Sequence, residues 1–305
     1  MASVKALNYT PNASARSLRA TRSYSIGYIY DNPNAYYIIN MQNGILNSCR
    51  ENHFELLIHP LDHRSDDLKE RITELVHNSR LAGVILTPPF SEMPEISKLL
   101  TKLKVPYVNI VSGNQQTQHK NYIVIDDHKS AYNITQHLID LGHEKIAFIS
   151  GGMSHQSTLE RFKGYQDALI DNGIRPLKRL FIEGSYSYES GVESTEKLMN
   201  LKNKPTAIFA ANDEIAAGAI FQCRLIGMSI PDEVSVVGFE NSPFSRQTRP
   251  KLTTADQPNE FIAEQASNLL IAQIQNWSEE QINKKQITTH FCPDLLVRDS
   301  TSHVP

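Results

Sequence analysis

Polar and aromatic side chains follow the apolar runs of this sequence, at the points where strands of a sheet would end. Asp31, Asn32 and Asn34 come directly after the first apolar run, together with Tyr36 and Tyr37. Later runs are followed by further polar residues, namely Thr87, Asn109, Ser154, Asn212 and Glu240. Carboxylates and amides exchange hydrogen bonds with hydroxyl groups, and aromatic rings pack on the C–H faces of polyols. Any one of these residues is commonly a cap or turn residue, but together they favour a cleft for a small neutral polyol.

Catalytic motifs are missing from the same positions. Gly151 and Gly152 lack the spacing of a phosphate-binding loop, and neither GxGxxG nor GxSxG follows a predicted strand. His59 and His63 are four residues apart but have no third ligand, so we expect no metal site. The run Asp126–His128 is interpreted as hinge and cap chemistry. We therefore expect no enzymatic activity, no metal and no cofactor.

Composition sets the broad class. The chain has 305 residues, of which 40% are hydrophobic and 21% charged, as in ordinary globular proteins of about two domains. No apolar run is long enough to span a membrane, and residues 1–24 contain no apolar segment typical of an export signal. Three widely separated cysteines fit a reducing compartment, so the expected location is the cytoplasm, away from membranes.

The charge of the chain is unevenly distributed. Residues 1–24 hold four basic and no acidic residues, so the rest of the chain has a charge of −7, for a total of −3. A basic arm on an acidic body suggests an anionic partner for the arm.

Apolar runs alternate with amphipathic stretches from residue 25 onward. The runs predict strands at 26–30, 54–59, 83–87, 106–111 and 122–125, and again at 145–150, 207–210 and 234–239. The stretches predict helices at 66–78, 130–141, 159–172, 188–200 and 214–225, three of them ending at Gly142, Gly173 and Gly227. Repeated β–α units indicate an α/β protein, and the restart after Asp126 predicts two doubly wound parallel sheets with a cleft between them.

Six sequence blocks resemble, in the same order, those of the lactose-repressor (LacI) family of bacterial transcription regulators. Residues 9–19 are similar to its YxPNxxARxLR hinge signature, and residues 137–149 to its HLIxLGHxxIAfi block. The other blocks lie at 161–165, 211–219, 230–239, and 252–254 with 296–300. The resemblance implies a core like that of type I periplasmic binding proteins, preceded by a hinge. The implied divisions are a headpiece remnant and hinge helix at 1–24, one subdomain at 25–126 with 257–287, a second at 127–256 with 288–300, and a tail at 301–305.

The resemblance also implies which residues contact a small effector, usually a sugar or nucleoside, in the cleft. Matching the blocks places Arg161, Asn212 and Glu240 in this role. Further expected contacts and lining residues are Asn109, Tyr36, Tyr37, Tyr186, Gln257, Thr87 and Ser157. Glu240 stands where the family usually has Asp, and the extra methylene shifts the carboxylate far enough to change which hydroxyls it bridges.

The family's hinge helix enters the DNA minor groove and wedges a leucine between base steps. In this chain the matching residues are Asn12, Ala15, Arg16, Leu18 and Arg19. The chain begins at what resembles the last helix of the family's helix-turn-helix headpiece, without the recognition helix. Because the hinge alone offers few phosphate contacts, we expect weak, salt-dependent binding to operator DNA from this segment.

Members of the family are homodimers, and the resemblance places the interface on 217–226 and 38–49, with Ala217, Ile220, Phe221 and Leu225. The expected function is an effector-responsive transcription regulator, a repressor that senses a carbohydrate. The alternative is a stand-alone sugar-binding or sensing protein of the periplasmic-binding-protein type without a DNA function. The hinge signature favours the first.

Overall fold

The computed structural model describes residues 23–32, 34–113, 121–276 and 287–304. The predicted hinge residues Asn12, Ala15, Arg16, Leu18 and Arg19 lie outside these ranges. The fold is α/β with parallel sheets, as predicted. None of the described helices is both long and apolar enough to cross a membrane.

The larger sheet has six parallel strands. In chain order they are β1 (Ser25–Tyr30), β2 (Glu55–Pro60), β3 (Gly83–Leu86), β4 (Tyr107–Ser112), β5 (Asn121–Ile125) and β11 (Ile287–Phe291). Across the sheet the order is β11-β5-β4-β3-β1-β2. Its helices are α1 (Ala35–Asn52), α2 (Leu68–Asn78), α3 (Pro94–Lys102) and α9 (Asn259–Gln275). Helices on both faces bury the four central residues of β1 and all of β3, which is why these strands are continuous apolar runs.

The smaller sheet has four parallel strands in the order β7-β6-β8-β9. These are β6 (Ile146–Ile149), β7 (Phe181–Ile182), β8 (Ala207–Ala210) and β9 (Ser235–Val237). The helices of this half are α4 (Asp127–Asp140), α5 (Gln156–Asp171), α6 (Tyr188–Met199), α7 (Asp213–Leu225) and α8 (Pro243–Gln247). One apolar core, centred on Phe148 and Phe209, fills the space between them.

Three passages of the chain join the two halves. The first runs from β5 into α4, and the second from β10 (Thr254–Asp256) into α9. The third follows β11 and leads to β12 (Asp294–Leu296), which pairs antiparallel with β10. Strand β11 pairs with β5, so Thr288–Phe291 belong to the larger sheet. The boundary expected at 287/288 therefore differs from the structure, because these residues extend the edge of that sheet before the chain crosses over.

Glycines allow the paired helices to approach closely. A Cβ atom at Gly44 of α1 would overlap the carbonyl oxygen of Glu260 in α9, and one at Gly164 of α5 would overlap that of His128 in α4. Contact at these points lets each helix pair cover its sheet as a unit.

We expect Gly44→Ala to lower the free energy of unfolding by about 1–2 kcal/mol. Alanine has the higher helix propensity, but the overlap of its Cβ atom with α9 destabilises the protein by more than that propensity stabilises it. Urea unfolding measures the difference. Gly152→Ala is the matched control, since the nearest atom to a Cβ there is 3.5 Å away, at His155. A stabilised Gly44→Ala protein would contradict the tight α1–α9 contact.

Candidate functional site

Arg161 lies at the centre of the cleft between the two halves. It projects from the second turn of α5 and is only 3% exposed. Its Nε donates to Asp127 Oδ1 at 2.7 Å, and its Nη1 to the carbonyl of Ala211 at 2.8 Å. The guanidinium carbon is 3.7 Å from the centre of the Phe239 ring. Burial by itself would lower the pKa of Arg161, but the nearby Asp127, together with Tyr186 and Glu240, more than offsets this, so the guanidinium stays charged.

Asp127 holds this guanidinium from the first turn of α4. The preceding residue, Asp126, caps the helix by accepting from the Lys129 N–H at 2.9 Å, which leaves the Asp127 side chain free to turn inward. Asp127 also accepts from Ser112 Oγ at 2.5 Å, so it connects the end of β4 to Arg161. The ion pair therefore has partners on both sides of the cleft.

Glu240 lies at a sharp turn after β9, where its φ of 102° is unusual for a residue with a side chain. Its Oε2 accepts from Asn34 Nδ2 at 3.1 Å, across the cleft. Its Oε1 is 3.6 Å from Arg161 Nη1. Burial raises the pKa of Glu240 to about 7, and Arg161 is the main opposing influence. Near neutral pH this group can accept or donate a hydrogen bond.

Tyr186 forms an aromatic wall of the cleft. Its ring lies over Gly151, where any Cβ atom would overlap it. Its hydroxyl is 2.6 Å from Thr158 Oγ1 and its ring centre 5.8 Å from that of His155. Gly151, shortly after β6, therefore makes room for an aromatic ring.

These groups enclose a cavity of about 70 Å³. Its lining comes from both halves and consists of Asn32, Asn34, Tyr37, Pro88, Ile110, Val111, Ser112, Ile125, Asp127, His155, Ser157, Arg161, Tyr186, Glu240 and Gln257. A ligand bound there contacts both halves of the protein at once.

A second cavity, of about 370 Å³, adjoins the first one at Glu240 and Gln257, and these two residues line both cavities. Tyr36, Asn40, Arg246 and Glu264 are among its other lining residues.

Comparison with known proteins identifies the family. A model of a periplasmic binding protein-like domain matches residues 135–301. The repressor PurR of Actinobacillus pleuropneumoniae serotype 3 is 30% identical over 305 residues, covering 99% of this chain and 88% of the relative. Catabolite control protein A of Priestia megaterium is 30% identical over 268 residues, covering 88% of this chain and 80% of the relative. This chain belongs to the LacI family of transcriptional regulators.

Solved structures of LacI-family regulators share its fold. The transcriptional regulator CelR in complex with cellobiose matches with a TM-score of 0.80 and 25% identity, over 97% of this chain and 88% of that chain. A LacI-family regulator from Mycobacterium smegmatis matches with a TM-score of 0.76 and 25% identity, over 92% of this chain and all of that chain.

The cleft of this LacI-family protein brings together six of the expected contact residues. They are Arg161, Glu240, Gln257, Tyr37, Tyr186 and Ser157. Gln257 Oε1 accepts from Arg161 Nη2 at 3.3 Å, so the crossover into α9 contacts the central guanidinium.

Four expected contact residues have other positions. Asn109 donates to Ser97 Oγ at 3.2 Å, toward α3, and Thr87 is buried with its hydroxyl 3.5 Å from Tyr28 Oη. Asn212 Oδ1 accepts from the Ile215 N–H at 2.9 Å and caps α7. Tyr36 lines the second cavity. None of the four lines the cleft around Arg161, because strand ends also supply the caps and supports of the next helix.

The sequence places Asn34 only among the polar residues after β1, and nothing local shows that its Nδ2 reaches Glu240 in the other half. For Asp127 the sequence predicts hinge and cap chemistry, whereas the structure places its carboxylate in the cleft beside Arg161. Two consecutive acidic residues at the start of a helix indicate such a role, because only one of them can be the N-cap and the other carboxylate is left for a different contact.

The expected interface residues divide into two pairs on α7. Ala217 and Ile220 are 5% and 3% exposed, since they already pack within this chain. Phe221 and Leu225 are 47% and 67% exposed, and Ile226 beside them is 46% exposed. The outward face of α7 therefore carries an apolar patch of Phe221, Leu225 and Ile226.

We expect Arg161→Ala to lower the free energy of unfolding by about 3 kcal/mol, because it leaves the buried Asp127 carboxylate without its partner. Urea unfolding of Arg161→Ala, Asp127→Ala and the double variant measures the coupling. The double variant should lose clearly less than the sum of the two single losses. Additive losses would mean that the two groups do not act as a pair.

Proposed function

We propose that this LacI-family regulator binds a sugar in the cleft around Arg161 and Glu240, and that the bound sugar changes its affinity for operator DNA. The observation that carries the proposal is the pair of contacts across the cleft, Asn34 to Glu240 and Arg161 to Gln257. A ligand that replaces these contacts with its own hydroxyls changes the placement of one half relative to the other. The cellobiose complex of the similar regulator CelR supports a sugar as the ligand class.

The charges of the cleft favour a ligand without an anionic group. Asp127 and Glu240 face a single guanidinium, and Nε of Arg161 is already occupied by Asp127. Among the described lining residues Arg161 alone carries a permanent positive charge, so a phosphate or carboxylate would lie beside Asp127 and Glu240 without a second such cation to receive it. Hydroxyl groups, in contrast, accept from Arg161 and donate to Glu240, while Tyr37 and Tyr186 offer ring faces.

The DNA-binding part of the proposal rests on the hinge signature at residues 9–19. In the proposed homodimer, a change in the placement of the two halves changes the distance between the two copies of Ser23, the first described residue after that signature, so sugar and DNA binding are linked. We assign the protein to the cytoplasm, where operator DNA is its partner. The alternative is a sugar-binding or sensing protein without a DNA function. Such a protein would have the same cleft, but its function would not require the hinge signature.

The ligand class is tested by thermal shift against neutral mono- and disaccharides, sugar phosphates, nucleosides and purines. A sugar at about 100 times its Kd stabilises the native state by roughly 2.7 kcal/mol. We expect hits among neutral sugars, and a Glu240→Gln protein should bind them about tenfold to a hundredfold more weakly because a charge-assisted hydrogen bond is lost. Glu193→Gln, on the exposed side of α6, is the control. Hits restricted to purines or phosphates would contradict the sugar assignment.

The homodimer is tested at the apolar patch of Phe221, Leu225 and Ile226. Placing a charge in a desolvated interface costs several kcal/mol, so Leu225→Glu should convert the dimer to a monomer at micromolar concentration. Light scattering after size-exclusion chromatography gives the mass. Ile170→Glu is the control, since Ile170 is 58% exposed on α5 and outside the patch. An unchanged mass for Leu225→Glu would move the interface elsewhere.

A further inference from the structure

The cavity of about 370 Å³ that adjoins the cleft at Glu240 and Gln257 has walls from both halves of the protein. The half built on the larger sheet contributes α1 and the start of α9, and the other half contributes α8 and the turn after β9. Its volume lies within the range of small-molecule sites in proteins. This second cavity is therefore large enough for a ligand, and none of the contacts described above uses it.

The start of α9 offers hydrogen-bond donors at one wall of the second cavity. This helix of 17 residues has no side-chain cap at its N-terminus. Of its first four N–H groups, that of Asn259 bonds the Gln257 carbonyl and that of Ile262 bonds the carbonyl of the preceding proline. The N–H groups of Glu260 and Phe261 have no acceptor among the described residues, and both residues line the cavity. Two backbone donors are thus available to a ligand there.

A buried side-chain amide lies beside these N–H groups. Asn259 is 4% exposed and lines the same cavity. Its Oδ1 accepts from Gln257 Nε2 at 2.7 Å, whereas its Nδ2 has no acceptor in the described part of the chain. A buried amide donor without an acceptor is costly, so this group calls for an acceptor inside the cavity.

Charged and aromatic side chains complete the walls. Arg246 of α8 is exposed, and its guanidinium forms neither a hydrogen bond nor an ion pair with any described residue. Asp256, at the end of β10, and Glu264, in the second turn of α9, bring carboxylates that accept hydrogen bonds. Tyr36 and Phe261 also line the cavity and provide aromatic rings. Donors, acceptors and ring faces therefore surround one space.

This combination suits a neutral polyol. Four acidic residues, including Glu240 and Glu260, and one guanidinium line the cavity, so a phosphate or carboxylate is repelled. A protonated amine pairs with the acidic groups but has no lone pair with which to accept from Asn259. A hydroxyl group both accepts and donates, and the rings of Tyr36 and Phe261 pack on the C–H faces of a sugar.

We propose that the second cavity is a subsite for a sugar ring, next to the effector cleft. The inference rests on the function proposed above, because the ligand chemistry is the same and Glu240 and Gln257 line both cavities. Arg246 donates to the hydroxyls of this ring, while Asp256 and Glu264 accept from them. The ring belongs to a disaccharide whose other ring lies in the cleft, or to a separate sugar molecule.

Isothermal titration calorimetry of the wild type and Arg246→Ala tests the subsite. The probes are glucose, galactose and fructose, and the disaccharides built from them, namely cellobiose, maltose, lactose and sucrose. For a disaccharide that fills both cavities, Arg246→Ala should weaken binding about tenfold, since a charge-assisted hydrogen bond is lost, and leave the affinity for monosaccharides unchanged. For a separate sugar, the wild type should bind two monosaccharides per chain, and the variant should bind one at the same concentrations.

The matched control is Arg175→Ala, which removes the same charge from an exposed position that lines neither cavity. It should bind every probe as the wild type does. Phe261→Ala, which removes a ring that is 51% exposed, is an independent second variant and should weaken the same ligands as Arg246→Ala.

Two results would overturn the subsite. One is an Arg246→Ala protein that loses the same factor in affinity for monosaccharides and disaccharides, and the other is one sugar per chain with every affinity unchanged in both variants. In each case the sugars still bind, so the proposed function stands without the subsite. A wild-type protein that binds none of these probes would contradict the proposed function, and the subsite with it.

Discussion

The ion pair between Arg161 and Asp127 is the contact on which the cleft depends. Both groups are almost fully buried, at 3% and 1% exposure, so each offsets the cost of burying the charge of the other. Their other partners, Ser112 and Gln257, come from the larger sheet and from a crossover. One buried pair therefore fixes the start of α4, the second turn of α5 and the crossover into α9 at a common point.

The helix pairs transmit this constraint to the sheets. Gly164 lets α5 lie directly on α4 at His128, so the helix that carries Arg161 and the helix that carries Asp127 are held together by their backbones. In the same way, Gly44 allows α1, which begins directly after Asn34, to lie on α9, which follows Gln257. Each wall of the cleft thus rests on a closely packed helix pair, and the three crossovers connect the two walls.

Much of the fold could be predicted from the sequence because its rules are local. The glycines expected to end helices, Gly142, Gly173 and Gly227, all have positive φ values, and the apolar runs coincide with strands of the two sheets. The cleft was predicted only in part. The sequence indicates which residues follow a strand, but not whether a side chain turns into the cleft, as Glu240 does, or caps the next helix, as Asn212 does. Asn34 and Asp127 act through partners more than thirty residues away.

The cavity around Arg161 has a consequence for rates as well as for affinity. Its lining comes from both halves, so the release of a bound ligand requires that its contacts with at least one half be broken together. The lifetime of the bound state then depends on the relative motion of the two halves as well as on the hydrogen bonds of each hydroxyl. The duration of the response after the sugar disappears would therefore be in part a property of the protein itself.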